Sequence, residues 1–214
     1  WSVLLFLILL TSVKGTDVTS CGTLNASGSY TLTQNVSSTG TCFTITANNV
    51  TLDGNGKTIT YGVGGATAKY GIYVNEYNST TIQNAVIVEG NATGTLKHAI
   101  FYDTSSDGIV YNNTITNSGT SSYGVYLLSG SNFNVSLNTI ATAGGSYGIL
   151  LNSNSNSNNV TLNTITTVSG SGLSLSLNSN SNTLTSNVIT TSGTDGHGIA
   201  LDSSPNFNIF TSNN

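Results

Sequence analysis

The sequence predicts an all-β protein, built as a single-stranded parallel β-solenoid. A short motif centred on a small residue returns every 24 to 28 residues, at Gly71, Ala99, Gly124, Gly148, Gly172 and Gly198. A T-I-T-like or N-T-I run recurs with a similar period, at Ile59, Ile87, Ile115, Ile140, Ile165 and Ile189. Short runs of Val, Ile, Thr and Tyr alternate with Asn, Ser and Gly, which is typical of strands and turns. A fixed period between roughly 20 and 50 residues indicates stacked repeats.

Equivalent residues of stacked coils form columns about 4.8 Å apart, and stacking makes the apolar core continuous. The residues predicted to point inward are Val50, Leu52, Ile59, Ile72, Val74, Ile82, Ile87, Ile100, Val110, Ile115, Val125, Leu127, Val135, Leu137, Ile140, Ile149, Leu151, Val160, Leu162, Ile165, Leu173, Leu175, Leu184, Ile189, Ile199 and Leu201. Asn138, Asn163 and Asn187 share one repeat position. This position predicts an asparagine ladder, in which each side-chain amide bonds the next.

The run VTLDGNGKTI at residues 50–59, followed by repeated G-I and N-T-I coils, resembles a known family. It is similar to the right-handed parallel β-helix repeat proteins of the pectin-lyase-like superfamily. The closer resemblance is to the secreted or surface-attached branch that includes NosD-like periplasmic proteins. The resemblance extends from Cys21 to the last residue and implies a right-handed β-helix. It says little about function, because the same coil serves lyases, hydrolases, adhesins and accessory proteins.

Residues 1–15 are interpreted as a signal peptide that is truncated at its start, with Thr16 as the mature N-terminus. The apolar run ends at Leu10, short of the roughly 20 residues that cross a membrane. The expected location is therefore secreted or cell-surface, with no membrane span beyond this segment. At the other end, residues 207–210 begin a coil, and the solenoid is expected to be truncated there as well.

Cys21 and Cys42 are the two cysteines of the chain. An even count behind an export signal predicts a disulfide, whereas two cysteines without CxxC spacing are poor metal or redox candidates. We expect residues 16–47 to form an N-terminal cap, pinned by this bridge, and residues 48–214 to form the regular coils. A cap protects the open strand edges at the end of a solenoid.

Composition excludes several classes of partner and cofactor. Only 6% of the residues are charged, the net charge is −4, and the four basic residues are all lysines. Without a basic patch, nucleic acid is an improbable partner. The run Asp53-Gly54-Asn55-Gly56 begins like a calcium loop, but Lys57 stands where a third oxygen ligand is needed. A tight turn is the better interpretation, and no metal or other cofactor is expected.

The family resemblance suggests a search for polysaccharide cleavage. Lyases of this fold use an arginine or lysine base near calcium-binding acids, and hydrolases use clustered aspartates. Here Asp107-Gly108-Ile109 and the D-G-H-G-I run at residues 195–199 are similar to fragments of polygalacturonases. They lie about four coils apart, too far for carboxylates that must act within about 5–10 Å of each other. No catalytic residue is assigned, and His197 is interpreted as a member of an aromatic column. A polysaccharide lyase or glycoside hydrolase with its catalytic coils outside this sequence is the alternative.

Aromatic residues form a predicted stripe along the N-terminal coils. The candidate carbohydrate-binding residues are Tyr70, Tyr73, Phe101, Tyr123, Tyr126 and Tyr147, and His98 lies in the same column. Exposed aromatic stripes often mark binding sites, since flat rings suit sugars or partner chains. The competing interpretations are a covering loop or stacking within the solenoid. The preferred function is a structural or adhesive surface protein that binds a polysaccharide or cell-envelope glycan.

Two further features leave other possibilities open. The T-I-T runs at residues 58–60, 114–116 and 164–166 favour a minor alternative, an ice-binding solenoid, although Ala141 and Val188 interrupt the array. Ordinary strand propensity also explains these threonines. Sequons permit N-glycosylation at Asn25, Asn35, Asn49, Asn78, Asn91, Asn112, Asn134 and Asn159.

Overall fold

The computed structural model describes residues 15–214, which form 24 short strands and no helix. The predicted signal peptide lies outside the described residues, apart from Gly15. Each full coil contributes one strand to each of three parallel sheets. Eight coils with a strand in the third sheet are present, which confirms the all-β parallel solenoid.

Sheet I has nine strands: β1 (Thr16–Val18), β3 (Gly28–Leu32), β6 (Val50–Asp53), β9 (Thr81–Gln83), β12 (Ile109–Tyr111), β15 (Asn134–Ser136), β18 (Asn159–Thr161), β21 (Thr183–Thr185) and β24 (Ile209–Thr211). Sheet II has seven: β4 (Val36–Ser37), β7 (Thr58–Tyr61), β10 (Val86–Glu89), β13 (Thr114–Asn117), β16 (Thr139–Thr142), β19 (Thr164–Val168) and β22 (Val188–Ser192). Sheet III has eight: β2 (Gly22–Leu24), β5 (Phe43–Ile45), β8 (Ile72–Asn75), β11 (Ile100–Asp103), β14 (Val125–Leu128), β17 (Ile149–Asn152), β20 (Leu173–Ser176) and β23 (Ile199–Asp202).

The register follows the sequence period. Ile115, for example, pairs with Ile87 in the preceding coil and with Ile140 in the next. Most of the predicted inward residues are fully buried, so the core is one continuous column of aliphatic side chains. Tyr102 is a core residue that the sequence pattern missed. Its ring packs edge-on against Phe133, and its hydroxyl oxygen accepts a hydrogen bond from Thr80 Oγ1 (3.0 Å).

Two of the predicted inward residues, Leu137 and Leu162, were assigned wrongly, and a third, Leu201, is inward but exposed. Leu137 and Leu162 are 45% and 53% exposed because each adopts a left-handed turn conformation, with φ of 57°, directly after a sheet I strand. The strands end at Ser136 and Thr161, so the alternation does not continue into the leucines. Leu201 pairs in register with buried Leu175 but is 52% exposed, since β23 is the outermost described strand of its sheet.

The first strands continue the same three sheets. β3 pairs with β6 in sheet I, and β5 pairs with β8 in sheet III. Residues 16–47, which are predicted to form the N-terminal cap, thus supply strands that pair in register with the coils that follow. The predicted disulfide between Cys21 and Cys42 is present and joins segments next to the paired strands β2 and β5.

The predicted asparagine ladder is confirmed and is longer than expected. Its members, one per coil on the turn from sheet I to sheet II, are Asn113, Asn138, Asn163, Asn187 and Asn213. From Asn138 onward, each Oδ1 accepts both the backbone N–H and the side-chain amide of the asparagine one coil earlier, as Asn163 does for Asn138 (3.0 Å each). A second ladder, which the sequence analysis missed, runs through Asn158, Asn182 and Asn208 on the turn from sheet III to sheet I.

The interpretation of the Asp53-Gly54-Asn55-Gly56 run as a tight turn is confirmed. Asn55 and Gly56 both have positive φ, 47° and 71°. No group of three or more His, Cys, Asp or Glu side chains able to hold a metal ion occurs within residues 15–214. Over the same range, no helix is long and apolar enough to cross a membrane.

Candidate functional site

The predicted aromatic stripe lies on the outer face of sheet III. Tyr73, Phe101 and Tyr126 occupy equivalent outward positions of β8, β11 and β14, and they pair in register. A second column stands just before these strands and contains Tyr70, His98, Tyr123 and Tyr147. The 24- to 28-residue period therefore brings the predicted residues together as two adjacent columns.

The rings of both columns stack on one another along the solenoid. Phe101 and Tyr126 are nearly parallel, with ring centroids 4.8 Å apart, and Tyr123 and Tyr147 are 5.2 Å apart at 16°. His98 lies between Tyr70 and Tyr123, at 5.7 and 4.7 Å. Stacked rings turn their faces towards one another and their edges towards solvent. Phe101 is accordingly only 7% exposed.

The stacked rings are electrically neutral at ordinary pH. Burial lowers the pKa of His98 to about 3. Its Nδ1 accepts the backbone N–H of Tyr123 at 3.1 Å, which suits the neutral imidazole. Burial is also the main cause that raises the pKa of four stripe phenols, those of Tyr70, Tyr73, Tyr123 and Tyr126. The interpretation of His98 as an aromatic-column member is confirmed.

The aromatic column stops at Tyr147. One face of this ring stacks on Tyr123, while the next coil carries Ser171 at the same position and the coil after that carries His197. In the neighbouring column, Tyr126 is followed by Leu150, Ser174 and Ala200. Small side chains in place of rings leave the second face of Tyr147 uncovered.

A cavity of about 500 Å³ opens at this break in the columns. Its lining residues are Tyr123, Gly145, Tyr147, Leu150, Asn152, Ser169, Gly170, Ser171, Ser174, Ser176, Asp195, His197, Ala200 and Asp202. We call it the sheet III groove. It extends over two coil steps beyond Tyr147, and this is a length of about 10 Å at the usual strand spacing. A six-membered ring that packs between two surfaces needs a gap of roughly 7–8 Å, so the groove is long enough to hold one.

The floor of the groove is polar, and two of its hydroxyl groups form no hydrogen bond within the described chain. Ser171 and Ser174 are only 3% and 4% exposed, yet neither hydroxyl has a hydrogen-bond partner among residues 15–214. Neither oxygen is among the fully buried, unpartnered side-chain atoms of residues 15–214, so both hydroxyls open onto the cavity. Both are therefore placed to bind water or a ligand. Asn152, also in the lining, is already occupied, since it bonds the Tyr126 hydroxyl (3.1 Å) and Ser176 Oγ (2.9 Å).

The exposed side of the groove is acidic. Asp195 and Asp202 belong to one coil and line the same cavity, together with His197. The sequence analysis compared Asp195 with distant Asp107 and so missed this grouping. It also missed Ser171 and Ser174. The signal that could have found them is the loss of aromatic residues from two aligned columns after Tyr147.

The three parallel sheets and their one-coil register define the class of protein, a parallel β-solenoid. A family model for right-handed β-helix regions matches residues 34–214, more than four-fifths of the chain. The chain belongs to this right-handed β-helix family. Comparisons with curated proteins and with solved structures gave no match.

Proposed function

We propose that this protein is a secreted or cell-surface β-helix protein that binds carbohydrate in the sheet III groove. The observation that carries the proposal is the uncovered face of Tyr147, which opens onto a cavity of about 500 Å³ with a hydroxyl-lined floor. Sugars present apolar C–H faces and polar edges. An aromatic face beside unpartnered hydroxyls is complementary to both.

The proposed binding site is centred on Tyr147, at the end of the predicted aromatic stripe, and not on the middle of the stripe. Within the stripe, the rings of Tyr73 and Phe101 stack on each other with their centroids 5.3 Å apart. Mainly their edges are therefore available to a ligand. Tyr123 and Tyr147 are the two stripe residues in the groove lining. The stacked rings before them support Tyr147 from behind, since each ring fixes the next. In this proposal Tyr147 and Tyr123 contact the sugar, and His98 and Tyr70 stack behind them in the same column.

The structural or adhesive role is part of the same proposal. A continuous core and two asparagine ladders favour a stiff rod, because each coil is bonded to its neighbours throughout. The disulfide is consistent with an oxidising, extracytoplasmic compartment. A rod of this kind suits a surface protein that holds a glycan at a defined distance. The pectin-lyase-like or NosD-like branch, suggested by the sequence resemblance, fits such a role.

Binding can be tested with a glycan array, followed by calorimetry on the best oligosaccharide. Replacing one aromatic platform should weaken binding by about tenfold, on the order of the 1–1.5 kcal/mol that aromatic contacts contribute. We therefore expect Tyr147→Ala to reduce affinity by this factor. Tyr73→Ala is the matched control, because this tyrosine lies on the same face but outside the groove.

The outcomes separate the alternatives. If Tyr73→Ala abolishes binding while Tyr147→Ala does not, the stripe rather than the groove is the site. If the folded wild-type protein binds no glycan, the proposal is refuted.

Glycan cleavage is the second candidate, and one observation favours it. Asp195 and Asp202 line the same cavity, and paired carboxylates perform general acid and base catalysis in glycosidases. Oligosaccharides that bind should be incubated with the protein and assayed for new reducing ends. Their appearance, and their loss in Asp195→Asn, would make the protein a hydrolase. Unchanged oligosaccharides would leave a binding protein.

A further inference from the structure

We infer that the sheet III groove selects glycans with free amino groups, such as polymers of glucosamine, over neutral or uronic-acid glycans. This inference rests on the proposed carbohydrate binding and names the ligand class. The structural basis is a built site in which unpartnered hydroxyls, an aromatic face and two free carboxylates lie around one cavity.

Asp195 and Asp202 carry the charge of the groove. Both are exposed, and neither side chain has a hydrogen bond or an ion pair with another residue of the described chain. Carboxylates that are already paired would have little capacity left for a ligand. These two are available to an ammonium group, and a charge-assisted hydrogen bond is stronger than a neutral one.

No lysine lines the groove within residues 15–214. Lys97 is fully buried in an ion pair with Glu89. Lys57 lies on the turn that leads to sheet II, and Lys69 precedes Tyr70, several coils before the groove. The three lysines within residues 15–214 are thus either neutralised or farther from the groove than the screening length of about 8–10 Å.

The outward column of sheet III that contains Asp202 also contains Asp103, four coil steps earlier. Asp103 occupies the outward column of β11 that Leu128 and Asn152 continue in the next two coils, and Ser176 and Asp202 face outward at the end of β20 and β23. A uronic-acid polymer bound along this face would bring carboxylates next to Asp202 and Asp195, and no lysine lines the groove to compensate. Like charges in contact oppose binding, and this repulsion excludes such polymers.

Ser171 and Ser174 explain why the site binds a sugar rather than a simple amine. Their hydroxyls open onto the floor of the cavity, where a sugar hydroxyl can form hydrogen bonds with them. Tyr147 contacts the ring face, and the carboxylates at the rim receive the amino group. The three parts recognise three different portions of one hexosamine residue.

The test compares three oligosaccharides of equal length by calorimetry on the full chain: hexamers of glucosamine, N-acetylglucosamine and galacturonic acid. It is run at one mildly acidic pH, at which the free amines are protonated. Two exposed ion pairs contribute modestly, so we expect the glucosamine hexamer to bind about tenfold more tightly than the acetylated hexamer. The galacturonate hexamer should show no binding.

Asp195→Asn/Asp202→Asn should remove this preference. We expect it to weaken glucosamine binding about tenfold, to leave the acetylated hexamer within about twofold, and to make the salt dependence disappear. Asp107→Asn is the control for the loss of one negative charge elsewhere, since its exposed carboxylate lies outside the groove lining. The same measurements are repeated in a His197→Gln variant, which lacks the nearby imidazole that could repel a cationic ligand.

Each result decides something. Equal binding of both hexosamine polymers, or tighter binding of galacturonate, overturns the inference while the proposed carbohydrate binding stands. An unchanged preference in the double variant overturns it as well. The absence of binding to all three hexamers and to the glycan array defeats both proposals together.

Discussion

Lys97 Nζ lies 2.6 Å from Glu89 Oε1, and both side chains are completely buried in a chain with few charges. The second oxygen of Glu89 accepts the backbone N–H groups of Ser118 and Gly119, at 2.8 Å each. Lys97 Nζ also donates to the backbone carbonyl of Asn91. The ion pair thus joins the long turn after β10 to the turn after β13, one coil away.

Removing one partner of this pair should destabilise the protein more than removing both charges. Lys97→Met leaves the Glu89 carboxylate buried without a cation, which costs about 3–5 kcal/mol of unfolding free energy. Lys97→Met/Glu89→Gln should recover much of this loss, because glutamine can still accept from Ser118 or Gly119. Urea unfolding measures both variants, with Lys57→Met as the control. A single variant as stable as the wild type would show that the pair does not carry this role.

The asparagine ladder makes a second prediction. Asn163 Oδ1 accepts from the backbone N–H and the side chain of Asn138, and its Nδ2 donates to the carbonyl of Val135 (2.9 Å). Asn163→Ala leaves these buried groups unpaired, and we expect a loss of roughly 2–4 kcal/mol in unfolding free energy.

The matched control is Asn159→Ala, four residues away on the exposed face of β18. It should change stability by less than about 0.5 kcal/mol, as surface substitutions usually do. Chemical denaturation of both variants gives the comparison. Equal effects at the two positions would contradict a special role of the ladder.

The fold was predictable because its repeat is imposed by packing that leaves a sequence signature. The small-residue column is one example. A Cβ at Gly148 would lie 2.3 Å from Ile165 Cγ2 and 2.6 Å from the carbonyl oxygen of Gly172, so only glycine fits there. The ladder asparagines are likewise fixed by buried backbone groups, which recur in every coil.

Other features could not be predicted, for identifiable reasons. Leu137 occupies a left-handed turn position that Asn112 holds in the preceding coil. Leucine is not a typical turn residue. If the strand alternation continued from Val135, the Leu137 side chain would point inward. Lys97 lies in a turn of variable length after β10, where periodicity says nothing about burial, and its partner Glu89 is the last residue of that strand. The sheet III groove is created by what is missing after Tyr147, and it becomes visible only when neighbouring columns are placed side by side.

Reduction of the disulfide should loosen the first coils without unfolding the rest. The Cys21–Cys42 bridge closes a loop with a sequence separation of 21, worth about 3 kcal/mol in the chain-entropy model. Because solenoid stability is largely a sum of neighbouring coils, the effect should stay local. Hydrogen exchange of Cys21→Ser/Cys42→Ser is expected to show lost protection in residues 16–45 and retained protection beyond residue 100. Uniform loss along the chain would indicate one cooperative unit instead.

His98 should make the protein sensitive to acid. Its pKa is about 3 in the folded state, because burial disfavours the charged imidazole, against an ordinary value of 6.5. Below pH 6.5 the unfolded chain therefore binds a proton that the folded chain does not, and stability falls as the pH drops towards 3. At pH 5 this single group should lower the unfolding free energy by about 2 kcal/mol relative to neutral pH.

The measurement is urea unfolding of the wild type and of His98→Tyr. This variant has a phenol at position 98, as Tyr70, Tyr123 and Tyr147 have at the other positions of the column. The tyrosine variant loses the acceptor for the Tyr123 N–H and is expected to be less stable at neutral pH, but its decline on acidification should be smaller by about 2 kcal/mol. Parallel pH profiles for the two proteins would show that His98 takes up its proton in the folded state, and the buried neutral imidazole would have to be abandoned.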